Sequence, residues 1–302
     1  MSSVEKICSR AVEDGVEVRR HVPLKTMTTF KIGGEAEAVL VPKDVAQLSL
    51  IARCCSEEGV VPFILGNGSN VLFSDTGYSG ILIHLEEGFS SLSCDGERIV
   101  CGSAVSLSRL CRFALEHGLT GMEFAYGVPG SVGGAAFMNA GAYGGEMKDV
   151  IVKCSHVAPD GEIGELEGAA LNFGYRNSAY KQNRSIVTSV ELLLKPGDPD
   201  RIRTKMEDLI GRRRRKQPVE YPSAGSVFKR PPDHFAGTLI EQCGLKGKRI
   251  GGAQVSEKHA GFIINTGDAT ARDVLELIRL VQNTVLEKTG IRLEPEVMMV
   301  SN

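Results

Sequence analysis

A chain of 302 residues, 42% hydrophobic and 24% charged, can bury a large core but exceeds what one compact core usually fills, so two or three domains are expected. Its formal net charge of −2 excludes a broad electrostatic attraction to nucleic acid or anionic membrane, and no apolar run approaches the roughly 20 residues of a membrane span. Residues 1–15 alternate charged with apolar side chains and lack a signal-peptide core, so the expectation is a cytoplasmic protein acting on small partners, with no nucleic acid, membrane or obligate protein partner.

In chain order, 44–58 reads as an amphipathic helix, with Val45, Leu48, Ile51 and Ala52 at three- and four-residue spacing and Gly59 as its stop. Short β-rich segments follow at 60–65, 80–85, 98–102, 150–158 and 186–194, bounded by Gly, Asp or Pro, while 107–117 repeats the helical period. A polar helix over Pro199–Lys216 ends in Arg212-Arg213-Arg214-Arg215-Lys216 before Pro218, which puts a domain junction near 197. Strands at 226–229 and 253–265, a long helix over 272–289 capped by Gly290, and a final strand over 293–300 make a second, smaller unit. Strands with few helices between them argue for an α+β fold over regular βα alternation. Eight scattered cysteines without a Cys-x-x-Cys pair, and six unclustered histidines, read as reduced packing residues and no metal site.

Two glycine-rich stretches stand out. Gly66-Asn67-Gly68-Ser69-Asn70 follows an apolar strand; its glycines let a ligand approach the backbone and its short polar side chains suit a pyrophosphate, although Gly-Asn-Gly also makes an ordinary hairpin. The second runs Gly127-Val128-Pro129-Gly130-Ser131-Val132-Gly133-Gly134 and on through Asn139-Ala140-Gly141 to Gly145. Seven glycines between 127 and 145 cannot fill a core with side chains, so either a large ligand lies against bare backbone or a helix and sheet meet unusually closely. Gly66-x-Gly68 is followed by Val71 where a Rossmann fingerprint needs glycine, and no P-loop is present, which disfavours a Rossmann dehydrogenase or a kinase.

Taken together, Thr28-Thr29-Phe30-Lys31-Ile32-Gly33-Gly34, both glycine loops, Tyr175-Arg176-Asn177-Ser178, Ser223-Ala224-Gly225-Ser226-Val227-Phe228-Lys229 and Leu293-Glu294-Pro295-Glu296-Val297 occur in the order found in the UDP-N-acetylenolpyruvoylglucosamine reductases, and the chain resembles that family over nearly its whole length. It looks like the shorter of the family's two types, which lacks an extra substrate-covering loop. The resemblance implies an FAD-binding domain of the vanillyl-alcohol oxidase type, in two subdomains, over 28–197, with 1–27 packed on it. A substrate-binding α+β domain over 198–302 would close over the UDP-sugar. It implies NADPH as co-substrate and UDP-N-acetylglucosamine enolpyruvate as the species reduced, in peptidoglycan precursor synthesis. Gly66, Asn67, Gly68, Ser69 and Asn70 would lie near the FAD pyrophosphate, and Gly127, Pro129, Gly130, Ser131, Gly133, Gly134, Asn139, Ala140 and Gly141 alongside the flavin.

Hydride attack on an enolpyruvyl ether builds negative charge beside its carboxylate, and the enolate must be stabilised and then protonated. The resemblance maps Arg176, a planar permanently charged fork, onto stabilisation, Ser226 onto proton donation, and Glu296 onto the third catalytic place. A serine hydroxyl is a weak acid, so a cation must assist it, with Lys216 and Lys229 as candidates. Glu294 would share a strand face with Glu296, and Met298 stands where relatives usually carry a basic residue. Arg213 and Lys216, one helical turn apart, could reach the UDP pyrophosphate, and Lys229, Lys258 and His259 are further substrate candidates. Two rivals stay open: a flavin oxidase of the same fold, and a nucleotide-sugar binding protein without catalysis.

Overall fold

The computed structural model describes residues 1–302. Two compact units form, each from separated stretches: 1–20, 38–67 and 80–211 in the first, and 21–37, 68–79 and 212–302 in the second. The sequence suggested a single cut near 197; instead the second unit recruits two short early segments, because strands far apart in the chain pair within it.

The first unit has two hydrophobic cores. In one, the helices Ser3–Glu13 and Val45–Glu57 bury Ile7, Ala11, Leu48 and Ile51 with Ala38, Leu40, Ile81 and Ile83 of a sheet ordered Glu17–Pro23, Glu35–Val41, Tyr78–His84, Phe63–Leu65. The helix expected at 44–58 is present because Leu48, Ile51, Ala52 and Cys55 make a buried stripe and the Asp44 carboxylate accepts the Gln47 amide at 2.8 Å. The strand expected from residue 60 begins only at Phe63, after Pro62, which has no amide hydrogen for a ladder. The other core lies on an antiparallel five-stranded sheet ordered Ile163–Glu167, Ile151–Val157, Ile186–Leu193, Arg98–Gly102, Leu92–Asp95. Leu107 and Leu110 of the helix Leu107–Glu116, Val132 and Ala136 of Val132–Met138, and Ile202 and Met206 of Pro199–Lys216 fill it.

In the second unit an antiparallel sheet, ordered Ser223–Ser226, Phe262–Asn265, Ala253–Val255, Arg249–Ile250, packs with the helices Ala236–Gln242 and Ala271–Thr289. The long helix buries Val274, Leu277, Ile278, Val281 and Val285, starts in a capping box between Thr270 and Asp273, and stops at Gly290 with φ 72°. The single strand expected over 253–265 is two strands, parted by the turn at 256–261. The expected final strand is shorter: Met298–Val300 pairs in parallel with Val71–Phe73, whereas Pro295 makes only an isolated bridge with Phe228. No helix is long and apolar enough to cross a membrane. The cysteines are free, and burial pushes the thiols of Cys55 and Cys154 up to about 12, which keeps them protonated.

Candidate active site

In the first unit the two glycine stretches meet. Strand Phe63–Leu65 delivers Gly66 against Ser131, so closely that a Cβ at Gly66 would collide with the Ser131 hydroxyl. The second stretch is not all loop. Its middle is the helix Val132–Met138, whose Gly134 amide is capped by Ser131 Oγ at 3.3 Å and which ends at Asn139 in the left-handed region. Gly133 lies where its Cβ would be 2.7 Å from the Ser103 Cβ, and its amide donates to the Ser103 carbonyl at 2.8 Å. At Gly141 a side chain would meet the Gly145 carbonyl at 2.7 Å. At these positions close protein packing explains the glycine; Gly134 and Pro129 are exposed, and Gly127, Gly130 and Ala140 are partly so.

Sequence reading missed Ser103. It is 3% exposed, and its hydroxyl has no hydrogen-bond partner in the protein. A buried hydroxyl left unpaired costs about 1–3 kcal/mol, so a polar partner beside Gly133 would be favoured. This hydroxyl, beside the partly exposed Gly133, fits the FAD expected of the resemblance. No residue type or spacing singled Ser103 out, since its burial comes from distant segments: its amide donates to the Thr188 carbonyl at 3.0 Å and Gly133 packs on it.

The Arg176 turn is held from several sides. Gly174 and Asn177 exchange backbone hydrogen bonds at 3.0 and 3.2 Å, and Arg176 between them has φ 53°, a left-handed conformation that an L-residue holds at a cost of about 1–2 kcal/mol. Lys181 Nζ donates to the Arg176 carbonyl at 2.7 Å, and Ser178 Oγ donates to the Phe137 carbonyl at 2.7 Å. Fully buried Asn139 donates through Nδ2 to the Gly174 carbonyl at 2.9 Å and to Glu146 Oε2 at 3.0 Å, and its Oδ1 accepts the Lys148 amide at 2.9 Å. The Asn139 amide therefore braces the Arg176 turn, where sequence reading assigned it to the cofactor. The Arg176 guanidinium donates to the Gly141 carbonyl at 3.4 Å and lies 5.2 Å from the Tyr175 ring centroid. Lys148 holds the Glu146 carboxyl below the usual range against the opposing effect of partial burial, with Asn139 and Arg176 assisting.

In the second unit Ser226 is exposed at the end of its strand, and Glu296 is half-buried. The two segments are neighbours: the Glu296 amide donates to the Val227 carbonyl at 2.7 Å. Glu294 and Glu296 do not share an ordinary strand face, because the chain around Pro295 is not regular strand. Glu294 is exposed and pairs with Lys229 at 3.1 Å, so Lys229 is engaged there and Lys216, exposed, is the other of the two cations proposed to assist Ser226. Gly68 packs on Thr28 so that a Cβ would lie 2.8 Å from its Cα, and Asn70 Nδ2 donates to the Glu296 carbonyl at 3.2 Å. Ser69 is partly buried and Asn67 exposed.

The structure does not bring the other substrate candidates to one spot. Arg213 is 9% exposed and donates to Gln217 Oε1 at 2.9 Å, whereas Lys216, a turn later, is exposed. Lys258 pairs with Glu220 at 3.1 Å. His259 accepts the Gly261 amide at Nδ1 (3.1 Å) and meets the Phe262 ring edge to face; burial lowers its pKa, so it is neutral at pH 7. No three His, Cys, Asp or Glu side chains are grouped so as to hold a metal ion.

Comparison with known proteins adds independent findings. A family model described as the C-terminal domain of UDP-N-acetylenolpyruvoylglucosamine reductase matches residues 217–300, and one described as an FAD binding domain matches 36–167. Proteins named UDP-N-acetylenolpyruvoylglucosamine reductase from Streptococcus pneumoniae (strain 70585) and Geobacillus kaustophilus are 45% and 46% identical, each match covering 99% of both chains. The crystal structure of the reductase from Thermus caldophilus superposes with a TM-score of 0.81 at 36% identity, covering 95% of this chain and 99% of that one. A berberine-bridge-enzyme-like protein of Physcomitrella patens, at 19% identity and TM-score 0.52, shares the fold over 63% of this chain.

Proposed function

The chain belongs to the UDP-N-acetylenolpyruvoylglucosamine reductase family, and from that premise we propose that Arg176, Ser226 and Glu296 carry its reaction, the reduction of the enolpyruvyl ether of UDP-N-acetylglucosamine to UDP-N-acetylmuramate in peptidoglycan synthesis. The observation that carries this reading is the identity of 45% over 99% of both chains; the three residues come from the motifs at 175–178, 223–229 and 293–297 of this sequence. When bound, FAD supplies the hydride chemistry, with NADPH as the reductant.

The chain's own residues do the rest. The guanidinium of Arg176 faces the substrate carboxylate as a two-pronged donor and lowers the energy of the enolate that forms when the terminal carbon gains hydride. Its braced turn supports this role, since a fixed charge needs no reorganisation as the negative charge develops. Ser226 gives its proton to the enolate carbon, with Lys216 lowering the hydroxyl pKa. Glu296, held by backbone contacts with Val227 and Asn70, orients the carboxylate end of the substrate. FAD is served mainly by the first unit and the UDP-sugar by the second, where Arg213, Lys216, Lys229, Lys258 and His259 are separate candidate contacts rather than one cluster, and the enzyme works in the cytoplasm. The test is anaerobic: NADPH should bleach the bound flavin, and only the enolpyruvyl sugar should restore its colour. Ser226→Ala should bleach normally and fail to recover quickly. Recovery with an alcohol and oxygen, but not with the sugar, would instead mark a flavin oxidase.

A further inference from the structure

The Thr28–Gly34 tract has no part in the steps above, yet Thr29 is the most connected residue between the first glycine loop and the strand bearing Ser226. Its amide donates to the Gly68 carbonyl at 3.1 Å, and its carbonyl accepts the Ser223 amide at 3.2 Å. Its hydroxyl donates to the Ser223 carbonyl at 2.7 Å and lies 3.4 Å from the Gly68 carbonyl. The contacts continue into a closed circuit. Ser223 leads along its strand to Ser226 and Val227; the Val227 carbonyl accepts the Glu296 amide at 2.7 Å; the Glu296 carbonyl accepts Asn70 Nδ2 at 3.2 Å; and Asn70 lies two residues from Gly68.

The strand needs this support. It pairs with its neighbour only at Ser223 opposite Ile264 and Ser226 opposite Phe262, with a shift of register between them and Gly225 at φ 77°. Ladder pairing alone therefore does not fix where Ser226 points. Phe30 adds a second tie, its carbonyl accepting Asn265 Nδ2 at 3.2 Å, and the Asn265 amide donates to the Pro222 carbonyl at 2.9 Å just before the strand.

We propose that Thr29 is a positioning residue that closes this circuit, so that the glycine loop holding the dinucleotide also sets the places of Ser226 and Glu296. The proposal rests on the functional reading above, in which the loop faces FAD and Ser226 donates the proton. Thr29→Val keeps the shape and removes the donor, whereas Thr29→Ser keeps the donor.

In holoenzyme, T29V should bind FAD and be reduced by NADPH within about twofold of the parent, while flavin reoxidation by the enolpyruvyl sugar falls about fivefold to tenfold, the loss expected for one hydrogen bond. T29S should recover most of that rate, and T29V in an S226A background should slow reoxidation no further. A readout independent of turnover is amide exchange at 223–227: FAD should slow it in the parent and in T29S, and fail to do so in T29V. If T29V does not fold, Thr29→Ala serves the same comparison with T29S. The proposal is overturned by unchanged reoxidation in the folded variant, by equal loss in both half-reactions, by T29S behaving as T29V, or by FAD protecting 223–227 equally in all three. A parent enzyme whose reduced flavin ignores the enolpyruvyl sugar overturns the functional reading, and this inference with it.

Discussion

Asn139 shows how much a single side chain can settle at the residue scale. Both N–H groups of its amide and one lone pair of its oxygen are taken by protein atoms, and one of these bonds braces the turn that holds Arg176 in the left-handed region. Asn139→Ala should lower stability by about 1–3 kcal/mol, because it leaves the Gly174 carbonyl and Lys148 amide without this partner. It should also slow reoxidation by the enolpyruvyl sugar more than reduction by NADPH; equal effects on both would remove it from the support of Arg176. Ser103 predicts the opposite sign. Its hydroxyl is buried without a protein partner, so Ser103→Ala should leave FAD-free protein as stable or slightly more stable, and weaken FAD binding by about fivefold to tenfold. A fluorescence titration and a thermal melt decide it: unaltered FAD affinity would mean that the hydroxyl does not face the cofactor.

Between elements, the clearest device in the first unit is the buried carboxylate of Glu123, 2% exposed. It accepts the Thr120 hydroxyl, the Gly121 amide at 3.2 Å and Lys205 Nζ at 3.3 Å, and so staples the segment at 119–125 to the helix Pro199–Lys216. Burial pushes its pKa up, but the Thr120 hydrogen bond, local backbone and Lys205 outweigh that and hold it below the usual carboxylate range. A folded pKa lower than the unfolded one means stability that is fully present above the unfolded value, about 4.3, and lost as pH falls through the folded value. Glu123→Gln should therefore melt lower than the parent at pH 7, by an amount equivalent to about 1–3 kcal/mol, with the gap closing as the pH is taken below 4. A gap that stays constant down to pH 3 would show that charge plays no part. In the second unit Asp75 plays a comparable role, accepting the Ala271 and Arg272 amides at 2.7 and 3.0 Å, so that a segment far away in the chain caps the longest helix.

For the molecule as a whole, FAD at a hundredfold excess over its dissociation constant should stabilise the folded chain by about 2.7 kcal/mol, seen as an upward shift of the calorimetric midpoint. An unshifted midpoint with colourless protein would favour the non-catalytic rival. Four of the five helices of ten or more residues were legible, from a stripe at 3.6-residue spacing in 44–58, 107–117 and 272–289, glycine stops at 59 and 290, and a polar run before Pro218; Ser3–Glu13 was not, its residues reading only as charged and apolar in alternation. The motifs in order were equally legible, and with them the family, because residue type and spacing are properties of the chain itself. Other features depend on residues hundreds of positions away. Val71–Phe73 lies beside Met298–Val300, Thr29 beside Ser223, and Asn70 beside Glu296, and no local period encodes such pairings. Read as regular strand, the chain around Pro295 would put Glu294 and Glu296 on one face, and only the resemblance favoured Glu296; the packing shows Glu294 as an exposed partner of Lys229 and Glu296 as half-buried. Composition and periodicity thus determined the α+β class, and the motifs in order, through the family resemblance they carry, the chemistry to expect. The tertiary structure decided which polar atoms are braced, paired or left for a ligand, because burial and hydrogen bonding arise from where distant segments meet.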